Sequence, residues 1–399
     1  MIKTILFWLM PCFLWAQGVA TVVGVVEDKT TLERLPSVVI DMQYGGYAST
    51  SNIEGKFAFK FPNLVLDSSF VSFSAIGYKT RILPARELLK LSEYKVYLEK
   101  ADSIKSTLGI AEAKVLVQAA VDSIQKNNIH TNFFQNGFYQ EVATIQGIGV
   151  VKVKEAVLRV ERFPEEEVFN DKIRVVKSRY IDWKGQSSKI EAWQFVNGMP
   201  IASRSLETEL PEFLTKGSLG SYKFRVDSMQ TSFNDIEILS VSFEPKSSRL
   251  RGGRTGKIWI EPYSKAIIRL EYELTPKGLF DVIGGGNGTV KLKGESLKYV
   301  SQYRRAGKKW VLHENNITVD LEYKEKLDKR FDVNTRWELK FLATETRQLA
   351  ARMIQDVEVP STTENFRTTA GLGTDYWETY NFIMPTFEMF KLPDNYRKR

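Results

Sequence analysis

The chain has 399 residues, of which 43% are hydrophobic and 12% aromatic, with a formal charge of +8, two histidines and one cysteine. Such a length and apolar content suffice for two or three domains, each with its own core. One cysteine excludes a disulfide framework and a cysteine metal site, and two histidines without a His-Glu-x-x-His spacing give no basis for a zinc enzyme.

Residues 1–16 read as a secretory signal. Lys3 is the positive n-region, Thr4 to Trp15 an apolar run broken by Pro11, and Ala16 the small residue before the cut. The run is too short to span a bilayer, so no transmembrane span is expected after its removal. Pro11 is a poor neighbour for a lipidated Cys12, so ordinary cleavage before Gln17 is expected. The mature chain then holds no cysteine and depends on its cores. Basic blocks stand at Arg249-Leu250-Arg251-Gly252-Gly253-Arg254, at Arg304-Arg305 with Lys308-Lys309, and at Arg397-Lys398-Arg399. Export argues against nucleic acid as the partner of these charges; anionic lipid, lipopolysaccharide or acidic glycan fits better. Solvation of turns between strands explains them better still.

Residues 17–100 carry short alternating runs separated by turn signals such as Asn52-Ile53-Glu54-Gly55. Phe57, Phe59 and Phe61 alternate with small and basic residues, as do Val71, Phe73 and Ala75, which marks half-buried strands. About seven such strands fit a β-sandwich. Four pieces carry a resemblance: Gly24 to Asp28, Leu35 to Ile40, Thr50 to Phe59, and Val71 to Lys79. Together they resemble the carboxypeptidase-like regulatory domain, a prealbumin-like sandwich common in cell-envelope proteins of the Bacteroidetes. The resemblance implies a module that binds or spaces; the zinc-binding catalytic part that its name suggests is absent.

Residues 101–130 form the link. Ala113, Leu116, Val117, Ala120, Val121 and Ile124 recur at spacings of three and four, which predicts an amphipathic helix over 111–127 that covers part of the next domain. Residues 131–399 are mostly strand. Alternation predicts strands at 138–142, 150–160, 173–183, 222–227, 235–244, 256–261, 265–274, 288–300, 309–322 and 332–343, joined by turns such as Thr275-Pro276-Lys277-Gly278 and Arg305-Ala306-Gly307. An antiparallel sheet of that size must curl, split or close. Gly256 to Pro262 followed by Ala266 to Tyr272 is similar to a strand pair in the half-barrel of lipoprotein-carrier proteins. With Gly137-Phe138-Tyr139-Gln140-Glu141 and Tyr376-Trp377-Glu378-Thr379-Tyr380-Asn381, the order of elements resembles a group of Bacteroidetes envelope proteins. Some of these continue into an outer-membrane barrel, for which no further alternating segments are seen here. The expected fold is mainly β: a prealbumin-like sandwich, a packed helix, and a large curved antiparallel half-barrel with a C-terminal tail.

Catalytic signals are sparse. His130 and His313 stand apart, no Gly-x-Ser-x-Gly elbow is present, and Gly284 to Thr289 lacks the lysine of a phosphate loop and reads as a rim loop. Glu191 beside Trp193 and Phe195 could hold a sugar, but an apolar strand face ending in a carboxylate explains it better; Glu165-Glu166-Glu167 reads as a solvated run. No cofactor and no metal are expected. Aromatics give the better hint: Trp183, Trp193, Phe195, Trp259 and Phe280 are the candidate ligand-binding residues, on the expectation that inward positions of a half-barrel line a cavity. The leading function is a non-catalytic envelope protein, periplasmic or associated with the outer membrane, that binds a lipid or a lipoprotein acyl chain. The alternatives are an assembly protein docking on an outer-membrane protein partner, and a glycan hydrolase with paired carboxylates.

Overall fold

The computed structural model describes residues 18–42, 46–66, 68–102, 104–105, 110–163, 171–183, 190, 195, 197–227, 229–283, 285–286, 290–325, 332–348, 366 and 372–391. The expected signal segment, Glu165 to Glu167, Glu191 and Trp193 lie outside the described residues.

The first seven strands are β1 (Val19–Asp28), β2 (Val39–Met42), β3 (Ala48–Thr50), β4 (Lys56–Pro62), β5 (Phe70–Ser74), β6 (Arg81–Pro84) and β7 (Tyr94–Leu98), with a one-turn helix α1 (Ala85–Leu88) before β7. They form two sheets, ordered β4-β1-β7 and β3-β2-β5-β6. β7 joins β1 in parallel, and the other pairings are antiparallel. Phe57, Phe59 and Phe61 point between the sheets and pack with Ile40, Val71, Phe73 and Leu98. The alternation predicts one buried face on β4, yet Ala58 and Lys60 on its other face are buried as well. The C-terminal segment, described below, covers them.

After a short strand β8 (Ile104–Lys105) come helices α2 (Ile110–Asp122) and α3 (Ile124–Asn127). Ala113, Leu116, Val117, Ala120 and Ile124 are buried in the main core of the molecule, so this helical stretch packs on the large sheet. The remaining elements are β9 (Phe133–Ile145), β10 (Gly149–Arg162), β11 (Lys172–Asp182), α4 (Gly198–Ala202), β12 (Tyr222–Val226), β13 (Met229–Phe233), β14 (Ile236–Pro245), β15 (Arg254–Ile260), β16 (Ile267–Leu274), α5 (Pro276–Ile283), β17 (Gly285–Gly286), β18 (Val290–Ala306), β19 (Lys309–Glu325), β20 (Val333–Gln348) and α6 (Phe387–Phe390).

The large sheet has 13 strands, ordered β11-β10-β9-β20-β19-β18-β16-β15-β14-β13-β8, with β12 also on β14 and β17 on β18. Its pairings are antiparallel. β9 pairs with β20 from Ile145↔Thr335 to Phe133↔Gln348, which places the two ends of the domain side by side in mid-sheet. Register shifts interrupt β9–β10, β10–β11, β15–β16, β18–β19 and β9–β20. Such bulges bend strands and increase twist, and they account for the strong curvature that a flat pleat would not give.

The two faces have different covers. The inner face of the sheet carries Tyr139, Leu158, Ile258, Ile260, Leu270, Ile317, Val319, Trp337 and Phe341, all in the main core. The outer face of β9, β10 and β20 supports a smaller apolar cluster in which Phe138, Val157 and Leu342 meet Ala58 of the sandwich and Trp377, Phe382 and Ile383 of the C-terminal segment. That segment joins the two domains. The main-chain N–H of Lys60 donates to Asn381 Oδ1 at 2.7 Å, and Asn381 Nδ2 donates back to the Lys60 carbonyl at 2.7 Å. Asn381 thus occupies the free edge of β4 as another strand would. Arg179 donates through Nε to the Glu155 carboxylate and through Nη1 to the Gly373 carbonyl, and its guanidinium lies 5.0 Å from the Trp377 ring. At a second seam, Arg304 of β18 donates to Asp41 Oδ1 at 2.9 Å and to the Gly46 carbonyl at 3.0 Å.

Candidate functional site

The inner face is the part of the fold that could hold a ligand, and what covers it decides whether it does. Between β11 and β12 the chain crosses this face as a lid, described over 197–221 together with Ile190 and Phe195. Asn197 enters α4 in the left-handed conformation, with φ 57°, a turn that asparagine tolerates better than most side chains. Gly198 follows because the lid lies directly on the sheet: a Cβ there would sit 2.6 Å from the Tyr139 hydroxyl. Phe195 packs edge-on against Trp337, with ring centroids 6.5 Å apart. Further on, Phe213 stacks on Phe243 at 4.2 Å and meets Tyr272 edge-on at 5.1 Å.

The lid is short of regular structure, so its main-chain groups need partners from elsewhere. The sheet supplies them. Asn315 of β19 is fully buried, and its Nδ2 donates to the Ala202 and Arg204 carbonyls, 2.7 Å each, while its Oδ1 accepts from the Ser301 hydroxyl at 2.5 Å. Arg162, also fully buried, donates to the Ser203 carbonyl, to Gln135 Oε1 and to Asp171. The Leu206 N–H donates to the Tyr303 hydroxyl at 2.8 Å. Asn128 reaches from the end of α3 to Glu207 Oε1 at 3.1 Å. The hydroxyls of Tyr139, Tyr299 and Tyr303 titrate above their ordinary range, chiefly because burial penalises a phenolate. Burial likewise raises the Asp171 carboxyl, with Arg162 opposing.

Among the described residues a hollow between the lid and the sheet, lined by Leu206, Leu210, Leu270, Tyr272, Tyr299 and Tyr303 among others, is about 50 Å³. A site for a lipid-sized molecule needs several hundred Å³. Larger hollows lie on the outer face. One of about 670 Å³ is floored by Lys223, Arg225, Lys257, Glu271, Glu273 and Lys298. Another of about 700 Å³ has Lys293, Glu295, Asp320, Glu322 and Arg336. Their charges are of both signs and some are paired, as in Lys257–Asp227 at 2.9 Å and Arg336–Asp320 at 2.8 Å, while Phe224, Phe243 and Tyr272 add apolar surface to the first.

The candidate residues fall in separate places. Phe195 belongs to the lid and packs on the inner face at Trp337. Trp183 is buried in a satellite cluster with Val142, Val153, Ile181 and Met389, on the outer side. Trp259 is half-buried on the outer face, 5.6 Å from the Arg269 guanidinium, because its neighbours Ile258 and Ile260 take the inner positions. Phe280 is exposed on α5. The inner aromatics that do converge, Tyr139, Phe213, Tyr272, Tyr299, Tyr303 and Trp337, belong to strands whose alternation would have placed all but Phe213.

Among the described residues no group of three or more His, Cys, Asp or Glu side chains could hold a metal ion. His313 is fully buried, neither ring nitrogen has a hydrogen-bond partner, and burial followed by the nearby Arg304 charge holds it well below the usual histidine range. It therefore stays neutral at physiological pH. No helix of the described residues is long and apolar enough to cross a membrane.

No family model matches the chain, and no curated protein matches it. Two solved structures are similar to it over 60% of its length and 95% of theirs. One, from Vibrio parahaemolyticus, carries the provisional name of an outer membrane lipoprotein-sorting protein domain; identity is 9% and the TM-score 0.25. The other is a DUF1329 family protein from Desulfovibrio piger, at 10% identity and a TM-score of 0.25. At that degree of superposition neither bears on what this chain binds.

Proposed function

We propose that this is an exported, non-catalytic envelope protein that takes up an apolar or amphipathic molecule, a lipid or a lipoprotein acyl chain, between the inner face of the large sheet and the lid. The observation that supports this reading is the make-up of that cover. The floor is largely apolar sheet interrupted by polar latches such as Arg162 and Asn315, whereas the lid is a series of short turns held through those side-chain donors to its carbonyls. Exchange of lid side chains such as Phe195, Met199 and Leu206 for ligand methylenes would return about 0.8 kcal/mol per buried CH₂. The sandwich acts as a fixed spacer or docking module of the carboxypeptidase-like regulatory type, and the leader places the protein in the periplasm or at the outer membrane.

The test is native mass spectrometry of the mature protein purified from its own envelope, followed by lipid extraction. A retained lipid or acylated peptide, together with quenching of Trp337 by an added brominated fatty acid, is the expected result. A clean apo mass and no quenching would overturn it. One observation favours a second reading, an assembly protein with a solid half-barrel: the hollow between lid and sheet among the described residues is about 50 Å³. Retention of a protein partner without lipid would establish that reading instead.

A further inference from the structure

The strand ends remote from the sandwich carry an unusual surface. β14 ends, β15 begins, β16 ends and β18 begins at this end of the sheet, and helix α5 closes it. Leu279 and Ile283, one turn apart, are buried against Gly294 of β18. The flanks of that buried face are apolar too: Phe280 on one side is 71% exposed and Val282 on the other 58% exposed, while Lys277 and Asp281 take the side turned away from the sheet. Gly278 abuts the turn 246–253, where a Cβ would lie 2.5 Å from the Gly253 carbonyl, and the Gly252 N–H donates to Asp281 Oδ2 at 3.2 Å. This turn presents Lys246, Arg249 and Arg251, all exposed and without an ion pair among the described residues. Asp281 is neutralised by Lys277 at 2.6 Å, whose ammonium also lies 5.2 Å from the Phe280 ring. Lys291 is exposed on the adjoining strand.

We infer that this end of the sheet is a membrane-contacting surface, which seats Phe280 and Val282 in the interfacial layer of an anionic bilayer while Lys246, Arg249, Arg251 and Lys291 meet lipid phosphates. Phe280 and Val282 project from the two flanks of one short helix, so they suit a deformable lipid layer better than a single complementary protein pocket. A projecting ring beside exposed, long cationic side chains is what the headgroup region accommodates. Arg304, which holds the sandwich, stands ten residues along β18 from Gly294, roughly 30 Å away. Seated in this way, the protein would hold its sandwich away from the membrane.

The experiment is co-sedimentation of the full mature protein with vesicles of phosphatidylcholine alone or with phosphatidylglycerol added. Binding to the phosphatidylglycerol vesicles, weakened by salt, is expected. Each basic residue at an anionic surface contributes about five-fold, so Arg249→Glu with Arg251→Glu should reduce partitioning about 25-fold or more. Phe280→Ser should reduce it about ten-fold, from lost apolar burial. All three side chains are exposed, so unchanged circular dichroism is the folding control. Wild-type failure to bind these vesicles, or charge-reversed protein binding equally well, overturns the inference. A photo-reactive residue at position 280 in intact envelopes should label lipid; labelling of a protein overturns the inference. Neither readout involves the inner face, so this inference and the ligand reading fail separately.

Discussion

Replacing Asn315 by alanine should loosen the lid without loosening the sandwich. The side chain donates to two lid carbonyls and accepts from Ser301, and it is fully buried. Its loss leaves two carbonyls and a hydroxyl without partners at a net cost of about 1 kcal/mol each, or about 3 kcal/mol in all. If the lid opens as a local unit, amides of 197–221 should exchange about a hundred-fold faster, since about 1.4 kcal/mol is a factor of ten. Hydrogen exchange read by mass spectrometry separates the peptides. Trypsin should also cut sooner after Arg204, whose side chain is about half exposed. Unchanged lid exchange, or acceleration spread equally over β1 to β7, would refute the idea of a cover held by these latches.

Four other outcomes are expected. Arg179→Leu leaves the buried Glu155 carboxylate unpaired and should cost about 3–5 kcal/mol, with early proteolysis of 372–391; in thermal melts the double variant Glu155→Leu/Arg179→Leu should recover most of the loss. Asp41 is raised to about 6 by burial, against the pull of Arg304. Its contribution to stability is therefore full below pH ~4, its unfolded range, and is lost as pH rises through about 6, a slope that Asp41→Asn should abolish in urea midpoints. Asp28 behaves oppositely. It is held at about 2, first by the Thr31 N–H, so its contribution is present above the ordinary range and lost as pH falls through 2, and Asp28→Asn should flatten that acid limb. Finally, His313→Leu should melt at or above the wild-type temperature, because it removes two buried nitrogens that have no partners; a clear loss of stability would mean that the ring is satisfied in solution.

Much of this was legible in the residues. Period-two alternation located the sandwich and the hairpins of the sheet: strands predicted at 256–261 and 265–274 form at Arg254–Ile260 and Ile267–Leu274. The same period held information that counting aromatics ignores. Trp259 lies between Ile258 and Ile260, so it must face away from them, and Leu279 and Ile283 at i, i+4 turn Phe280 outward. The lid had no such signal. Its 25 residues from 197 to 221 show no sustained period, and its partners Arg162, Asn315 and Tyr303 are 41, 113 and 97 residues away. Buried charge was equally hidden. Arg162, Arg179 and Arg304 are among the most enclosed side chains of the molecule, whereas an arginine in a sequence is read as surface.

The pairing of β9 with β20 has a consequence for how the chain matures. A chain made from its N-terminus emerges in order, and β9 to β11 can form a meander as soon as they are free. β12 to β19 can form another. Neither piece is complete, because the strand that joins them, Val333–Gln348, comes nearly two hundred residues after β9. Until it arrives, β9 and β19 each present an unpaired edge, the kind of edge that invites pairing with other chains. Long-range β contacts of this sort form slowly. The C-terminal segment that then locks onto Lys60 and Arg179 would make the last step the one that commits both domains at once. Newly made chains would depend on protection during the interval.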